Sequence, residues 1–144
     1  MSKFNLGIIG GGLIAETAHI PAIMRCSDVA LTFIIEKNTE RINYLKNNLG
    51  ITIPIVSTIE EVTTPIDGVI ICTPNNTHKD IAVKCLELGI HVLIEKPIAN
   101  GIEDAILIQK TASINNLVVM SGFCTRFWTS VQYIKHFIVS MSLG

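Results

Sequence analysis

The hydrophobic positions of this chain fall into two kinds of block that take turns along its length. Short aliphatic runs with little polar interruption occur at 4–9, 29–36, 53–56, 68–72, 91–95 and 117–120. Runs of this length, rich in Ile and Val, read as strands buried on both faces, as in a parallel sheet. Between them lie segments with helical spacing at 13–25, 39–48, 77–88, 102–113 and 126–139, and a shorter one at 58–62 with Glu60 and Glu61 in its first turn. Turn residues agree with these limits. Thr39 is a candidate N-cap, and Gly50 and Gly89 sit just past helix ends. Pro54 suits an edge strand, because it has no N–H to give a ladder.

Strand and helix alternating with short loops imply parallel strands joined by right-handed crossovers. Six strands in this rhythm predict an α/β fold: a doubly wound parallel sheet of the Rossmann type, in the order 3-2-1-4-5-6. Such sheets bind ligands beyond the carboxyl ends of their strands, where the strand order reverses. The loops after Ile9, Glu36, Cys72 and Glu95 are therefore where chemistry is expected.

Composition narrows the classes. The 144 residues suit one domain, and 49% apolar with 16% charged residues excludes a disordered chain. A net charge of −1 gives no footprint for nucleic acid or an anionic membrane. No apolar run is long enough to cross a bilayer, and 6–9 is too short for a signal peptide, so a cytoplasmic protein is expected. Cys26, Cys72, Cys85 and Cys124 are scattered without metal-ligand spacing. They read as small buried hydrophobes in a reducing compartment, and no metal is expected.

The first loop, Gly10-Gly11-Gly12-Leu13-Ile14-Ala15, matches G-x-G-x-x-A between a strand and a helix. Gly10 permits the tight turn. Gly12 lets the N–H groups of Leu13 and Ile14 approach a pyrophosphate, and Ala15 lets helix and strand pack closely. Glu36 ends the second strand 21 residues after Ala15. An acid at that spacing accepts from the adenosine ribose hydroxyls and repels a 2′-phosphate, which favours NAD. Lys37 and Arg41 leave NADP open, because a nearby cation neutralises that phosphate.

The third loop, Thr73-Pro74-Asn75-Asn76-Thr77-His78, gathers polar residues at the end of the most apolar strand. Asn76 or Thr77 is expected to cap the next helix. His78, in the first turn, is expected to be neutral and hydrogen-bonded. The fourth loop, Glu95-Lys96-Pro97, puts a charged pair after Val92-Leu93-Ile94. Adjacent strand residues face opposite ways, so an ion pair between them is awkward. Lys96 is instead placed to donate to, or exchange a proton with, a substrate hydroxyl as hydride leaves its carbon. His19, His91 and His136 have bland structural readings, as do Phe127 and Trp128.

Four segments together, 7–15, 73–78, 95–97 and Phe123-Cys124-Thr125-Arg126-Phe127, resemble the N-terminal half of the glucose-fructose oxidoreductase / inositol dehydrogenase / MocA family. The resemblance spans essentially the whole chain. It implies NAD(P)-dependent oxidation or reduction of sugars, cyclitols or related hydroxyl substrates. Lys96 would be catalytic and Glu95 near the nicotinamide ribose. Thr73, Pro74, Asn75 and His78 would line the cofactor crevice, and Arg126 would lie near the nicotinamide end. Thr129 stands where the family often has a proline after the Arg-Phe pair. The implied layout is a cofactor domain over 1–122 and a connecting helix over 123–144, leading toward a substrate domain that this sequence lacks. On that layout the chain binds cofactor but turns over poorly alone. Self-association through Phe127, Trp128 and Ile134 is expected, giving a homo-oligomer. Two other readings stay open: a non-catalytic nucleotide-binding or regulatory module, and an inactive truncated product.

Overall fold

The computed structural model describes residues 3–140; the tail 141–144 and residues 1–2 lie outside the described residues. Six strands form one parallel sheet: β1 (Phe4–Ile9), β2 (Val29–Ile35), β3 (Ile55–Val56), β4 (Gly68–Ile71), β5 (His91–Ile94) and β6 (Val119–Ser121). Their order is β3-β2-β1-β4-β5-β6, the doubly wound arrangement the alternation predicts. The helices are α1 (Ile20–Arg25), α2 (Thr39–Asn48), α3 (His78–Glu87), α4 (Ile102–Ile114) and α5 (Thr129–Ser140).

Because strand side chains alternate between faces, neighbouring isoleucines feed opposite cores. Ile8, Ile34 and Ile70 pack with Ala15, Ile20, Ile23 and Leu45 on one face. Ile9, Ile35 and Ile71 pack with Ala82, Leu86, Ile108 and Ala112 on the other. β1 and β2 change register between Leu6 and Gly7. There the Phe33 ring, 1% exposed, lies where a Gly7 side chain would stand: a Cβ at Gly7 would come within 2.0 Å of it.

Several boundaries differ from the sequence reading, each for a local reason. Asn38, not Thr39, caps α2, its Oδ1 accepting from the Arg41 N–H at 3.0 Å. The third strand shortens to two residues: Pro54 lacks an N–H, and its carbonyl accepts from Ile34 instead. The segment expected as a short helix at 58–62 is a 3₁₀ turn, Ile59–Glu61. The first helix starts at Leu13 as expected, but Ala15–His19 is π-helical, with the Ile20 N–H reaching Ala15. Pro21 supplies the cause, because it offers no N–H to the carbonyl of Thr17 and crowds it. The last helix begins at Thr129 rather than Arg126. Residues Cys124–Phe127 form a 3₁₀ turn, and Trp128 is extended.

No residue of α5 is buried, and Phe127, Trp128, Tyr133 and Ile134 are all more than half exposed. Cys26 and Cys124 also lie at the surface, unlike the buried thiols expected of them; Cys26 closes α1 and Cys124 opens the turn that follows β6. No helix is long and apolar enough to cross a membrane among the described residues.

A Gly7→Ala change forces a methyl group into the buried Phe33 ring. It is expected to lower stability by about 1–3 kcal/mol, read as a lower midpoint in urea denaturation.

Candidate functional site

The ladder delivers four loops to one edge of the sheet. Its last rungs run past the strands: Gly10 N–H donates to Ile35, Cys72 N–H to Ile9, Glu36 N–H to Val56 and Glu95 N–H to Ile71, at 2.7–3.0 Å. The loops after β1, β2, β4 and β5 therefore start side by side.

At the first loop, Gly10 has φ +95°, a conformation that suits glycine. A Cβ there would lie 2.9 Å from the backbone of Cys72 and Thr73, so the β1 and β4 loops touch through main chain alone. Gly12 differs, since a Cβ on it would meet no protein atom within 4 Å. Leu13 and Ile14 follow, 74% and 39% exposed, and Ala15 is buried beneath them. The first-turn N–H groups have no intrahelical acceptor, and the helix dipole adds partial positive charge. These features fit a bound anion: an open face over Gly12, free donors, and no side chain in the way.

Glu36 is held by backbone. Its Oε2 accepts from Gly11 N–H at 2.9 Å, and its Oε1 accepts from Lys37 and Asn38 N–H at 2.8 and 2.9 Å. A carboxylate offers about four lone-pair directions, so about one remains, on Oε2. Arg41 grips the other side of the turn. Its Nε donates to the Gly11 carbonyl, and an Nη donates to the Gly12 carbonyl at 3.3 Å and to Glu16 Oε2 at 2.6 Å. Arg41 thus holds the Glu16 carboxyl below the usual carboxylate range. Lys37 is exposed and forms no ion pair among the described residues.

A cavity of about 230 Å³ opens between Gly10, Glu36, Lys37, Thr73, Pro74 and Ile81. A neighbouring one of about 170 Å³ shares Ile9, Ile35, Lys37 and Ile81 and extends to Ile59 and Glu60. Together they form an apolar-floored slot beside the glycine turn, between the ends of β1, β2 and β4.

His78, 1% exposed, ties two loops together. Its Nδ1 lies 2.8 Å from the Pro97 carbonyl and its Nε2 lies 2.8 Å from the Thr73 carbonyl. The ring thus lies between two carbonyl acceptors, one from each loop. Asn75 Nδ2 adds a second bridge, donating to Asn100 Oδ1 at 3.0 Å. Neither Asn76 nor Thr77 caps α3 by its side chain. The Thr77 hydroxyl is spent on the Pro74 carbonyl and the Thr73 hydroxyl, both at 2.7 Å.

Glu95 turns back toward the first helix. Its Oε1 is 2.8 Å from His19 Nε2, and its Oε2 accepts the Lys96 N–H at 3.1 Å. Gly122 makes room, since a Cβ there would stand 3.2 Å from the carboxylate. The Lys96 side chain is exposed and joins no ion pair among the described residues. Cys72 lies nearby; burial, and secondarily the charge of Glu95, push its thiol up to about 12. It stays protonated and unreactive at neutral pH. A third cavity, of about 140 Å³, lies between His19, Glu95, Gly122, Cys124 and Phe127. Arg126 is exposed and does not line it.

Comparison with known proteins fits this geometry. The profile of the Gfo/Idh/MocA group, described as an oxidoreductase family with an NAD-binding Rossmann fold, matches residues 4–123. The chain belongs to this family. Glucose-6-phosphate 3-dehydrogenase of Bacillus subtilis is 30% identical over 96% of this chain and 39% of that protein. Myo-inositol 2-dehydrogenase of Thermotoga maritima is 25% identical over 96% of this chain and 42% of that protein. An NAD-binding protein from Listeria innocua superposes with a TM-score of 0.84 at 26% identity, covering 99% of this chain and 42% of that one. The chain thus spans about two fifths of the length of the relatives it matches.

In this Gfo/Idh/MocA domain, sequence reasoning missed His19, Gly122 and the grip of Arg41 on Glu16. His19 lies 76 residues from Glu95, and its position before Ile20-Pro21 at a helix end looked purely structural. The glycine after β6 was a usable signal that went unread.

His78→Ala removes the ring that joins the Thr73 and Pro97 carbonyls and unties the β4 and β5 loops. An expected loss of about 2–4 kcal/mol is measured by urea denaturation.

Proposed function

We propose that this chain binds NAD(H) along the crevice at the carboxyl ends of β1, β2, β4 and β5. It would serve there as the cofactor-binding part of a dehydrogenase acting on a hydroxyl group of a sugar or cyclitol. The observation that carries the reading is the glycine turn, where Gly12 faces open space beside unpaired helix-start donors, with Glu36 fixed next to it. The pyrophosphate would rest on the N–H groups of Gly12, Leu13 and Ile14. An adenosine ribose would meet the free lone pair of Glu36, and its base would enter the slot over Ile35 and Ile81. Thr73, Pro74 and Asn75 would line the middle of the cofactor, with His78 holding them in place.

NAD, when bound, would supply one thing, the hydride acceptor for the substrate carbon. The chain supplies the rest. Lys96 would hold and move the substrate hydroxyl proton at its Nζ, for which its exposed, unpaired side chain is suited. Glu95, steadied by His19, would orient the ribose at the nicotinamide end, with Arg126 as an outer contact. The substrate class is supported by the names of the relatives, which act on glucose 6-phosphate and myo-inositol. A boundary near residue 122 is supported by the end of the family match at 123 and by the uncovered apolar side chains of α5. The same side chains support a homo-oligomeric assembly.

Isothermal titration is expected to show saturable NAD binding, and the absence of heat with either NAD or NADP at millimolar concentration contradicts the reading. In a preparation that turns over substrate, Lys96→Ala should lower kcat by about 100-fold or more and leave NAD affinity within about twofold. An equal loss in both would place Lys96 in binding rather than proton transfer.

A further inference from the structure

Two cations follow Glu36 at the edge of the proposed ribose site, and they differ in freedom. Lys37 is exposed and unpaired among the described residues. Arg41 is fixed from three sides. Its donors go to the carbonyls of Gly11 and Gly12 and to Glu16 Oε2. Its guanidinium lies 4.8 Å above the centre of the Tyr44 ring, and the Tyr44 hydroxyl donates to the other oxygen of Glu16 at 3.2 Å. Glu16 and Arg41 are both only about one-fifth exposed, so water screens the pair incompletely.

The placement matters because Arg41 and Glu36 share a residue. Glu36 binds the N–H of Gly11, and Arg41 binds its carbonyl. Arg41 is therefore a neighbour of the point where a 2′-phosphate beside Glu36 would lie. A free guanidinium there would pair with that phosphate in a bidentate way. Here the charge is already balanced by Glu16 and directed onto the back of the turn.

We infer that Glu16 is a specificity-determining residue: by holding and neutralising Arg41 on the glycine turn, it excludes 2′-phosphorylated dinucleotides and selects NAD(H) over NADP(H). This rests on the reading that the crevice binds a dinucleotide with its adenosine ribose at Glu36. Glu36 alone repels the phosphate by one charge. Glu16 adds to this by cancelling the charge of the guanidinium that would otherwise offset it.

The test is titration of the chain with NAD and NADP as wild type, Glu16→Gln and Glu16→Ala. Glu16→Gln keeps the shape and removes the charge, and Glu16→Ala guards against a glutamine that keeps the grip. Wild type should bind NADP at least about tenfold more weakly than NAD. The variants should lower the NADP-to-NAD ratio of Kd by about fivefold or more, with NAD affinity within about twofold. Adding Arg41→Ala to Glu16→Gln should cancel the gain, and the gain should shrink in high salt. Equal wild-type affinity for the two nucleotides overturns the inference without needing a variant, as does an unchanged ratio in both variants. Failure of wild type to bind either nucleotide refutes the dinucleotide reading itself, a result distinct from intact NAD binding with a fixed ratio.

Discussion

The site depends on one close approach, that of Gly10 to the peptide between Cys72 and Thr73. With any side chain at Gly10 the two loops would have to separate, since its Cβ would stand 2.9 Å from that backbone. The contact lies at the switch point, where β1 sits between β2 and β4 and the helices leave to opposite faces. It sets the mouth of the crevice, and the remaining loops are tied to it. Glu36 and Arg41 hold Gly11 from its two ends. His78 carries the connection from Thr73 on to Pro97, and Asn75 carries it to Asn100.

Most of these ties run from side chain to backbone. That choice has a physical consequence. Loop backbone at a sheet edge would otherwise present donors and acceptors to water with no fixed geometry. Charged or bifunctional side chains such as Glu36, Arg41 and His78 each engage two or more peptide groups, which preorganises the loops before any ligand arrives. The opposite end of the sheet uses simpler means. His91 stacks on Phe4 and accepts from the Val118 N–H, which closes the β5 and β6 strands away from the crevice.

The sheet order and the position of the four loops were legible in the sequence because they follow from periodicity and crossover handedness, both local or generic. The glycine turn was legible for the same reason. What escaped were contacts between distant residues. Nothing local to His19 announces Glu95, and nothing near Glu16 announces Arg41 and Tyr44. Element ends were also hard to place where two neighbouring residues compete for one role. Asn38 outcompetes Thr39 as a cap, and the 3₁₀ turn at Cys124–Phe127 takes the residues that helical spacing assigned to α5. The Gly7 and Phe33 pair shows a further limit: a glycine inside a strand pattern records the shape of a partner 26 residues away.

On the proposed function, a dinucleotide lies across the ends of β1, β2, β4 and β5. Amide NMR spectra of the chain, assigned and followed during addition of NAD, test it most directly. The predicted result is a saturable set of shifts at Gly10 to Ile14, at Glu36 to Asn38, at Thr73 to Asn75 and at Glu95 to Lys96, with the amides of Phe4, His91 and Val118 unmoved. Saturable shifts centred on that opposite end of the sheet, or on α5, would contradict it.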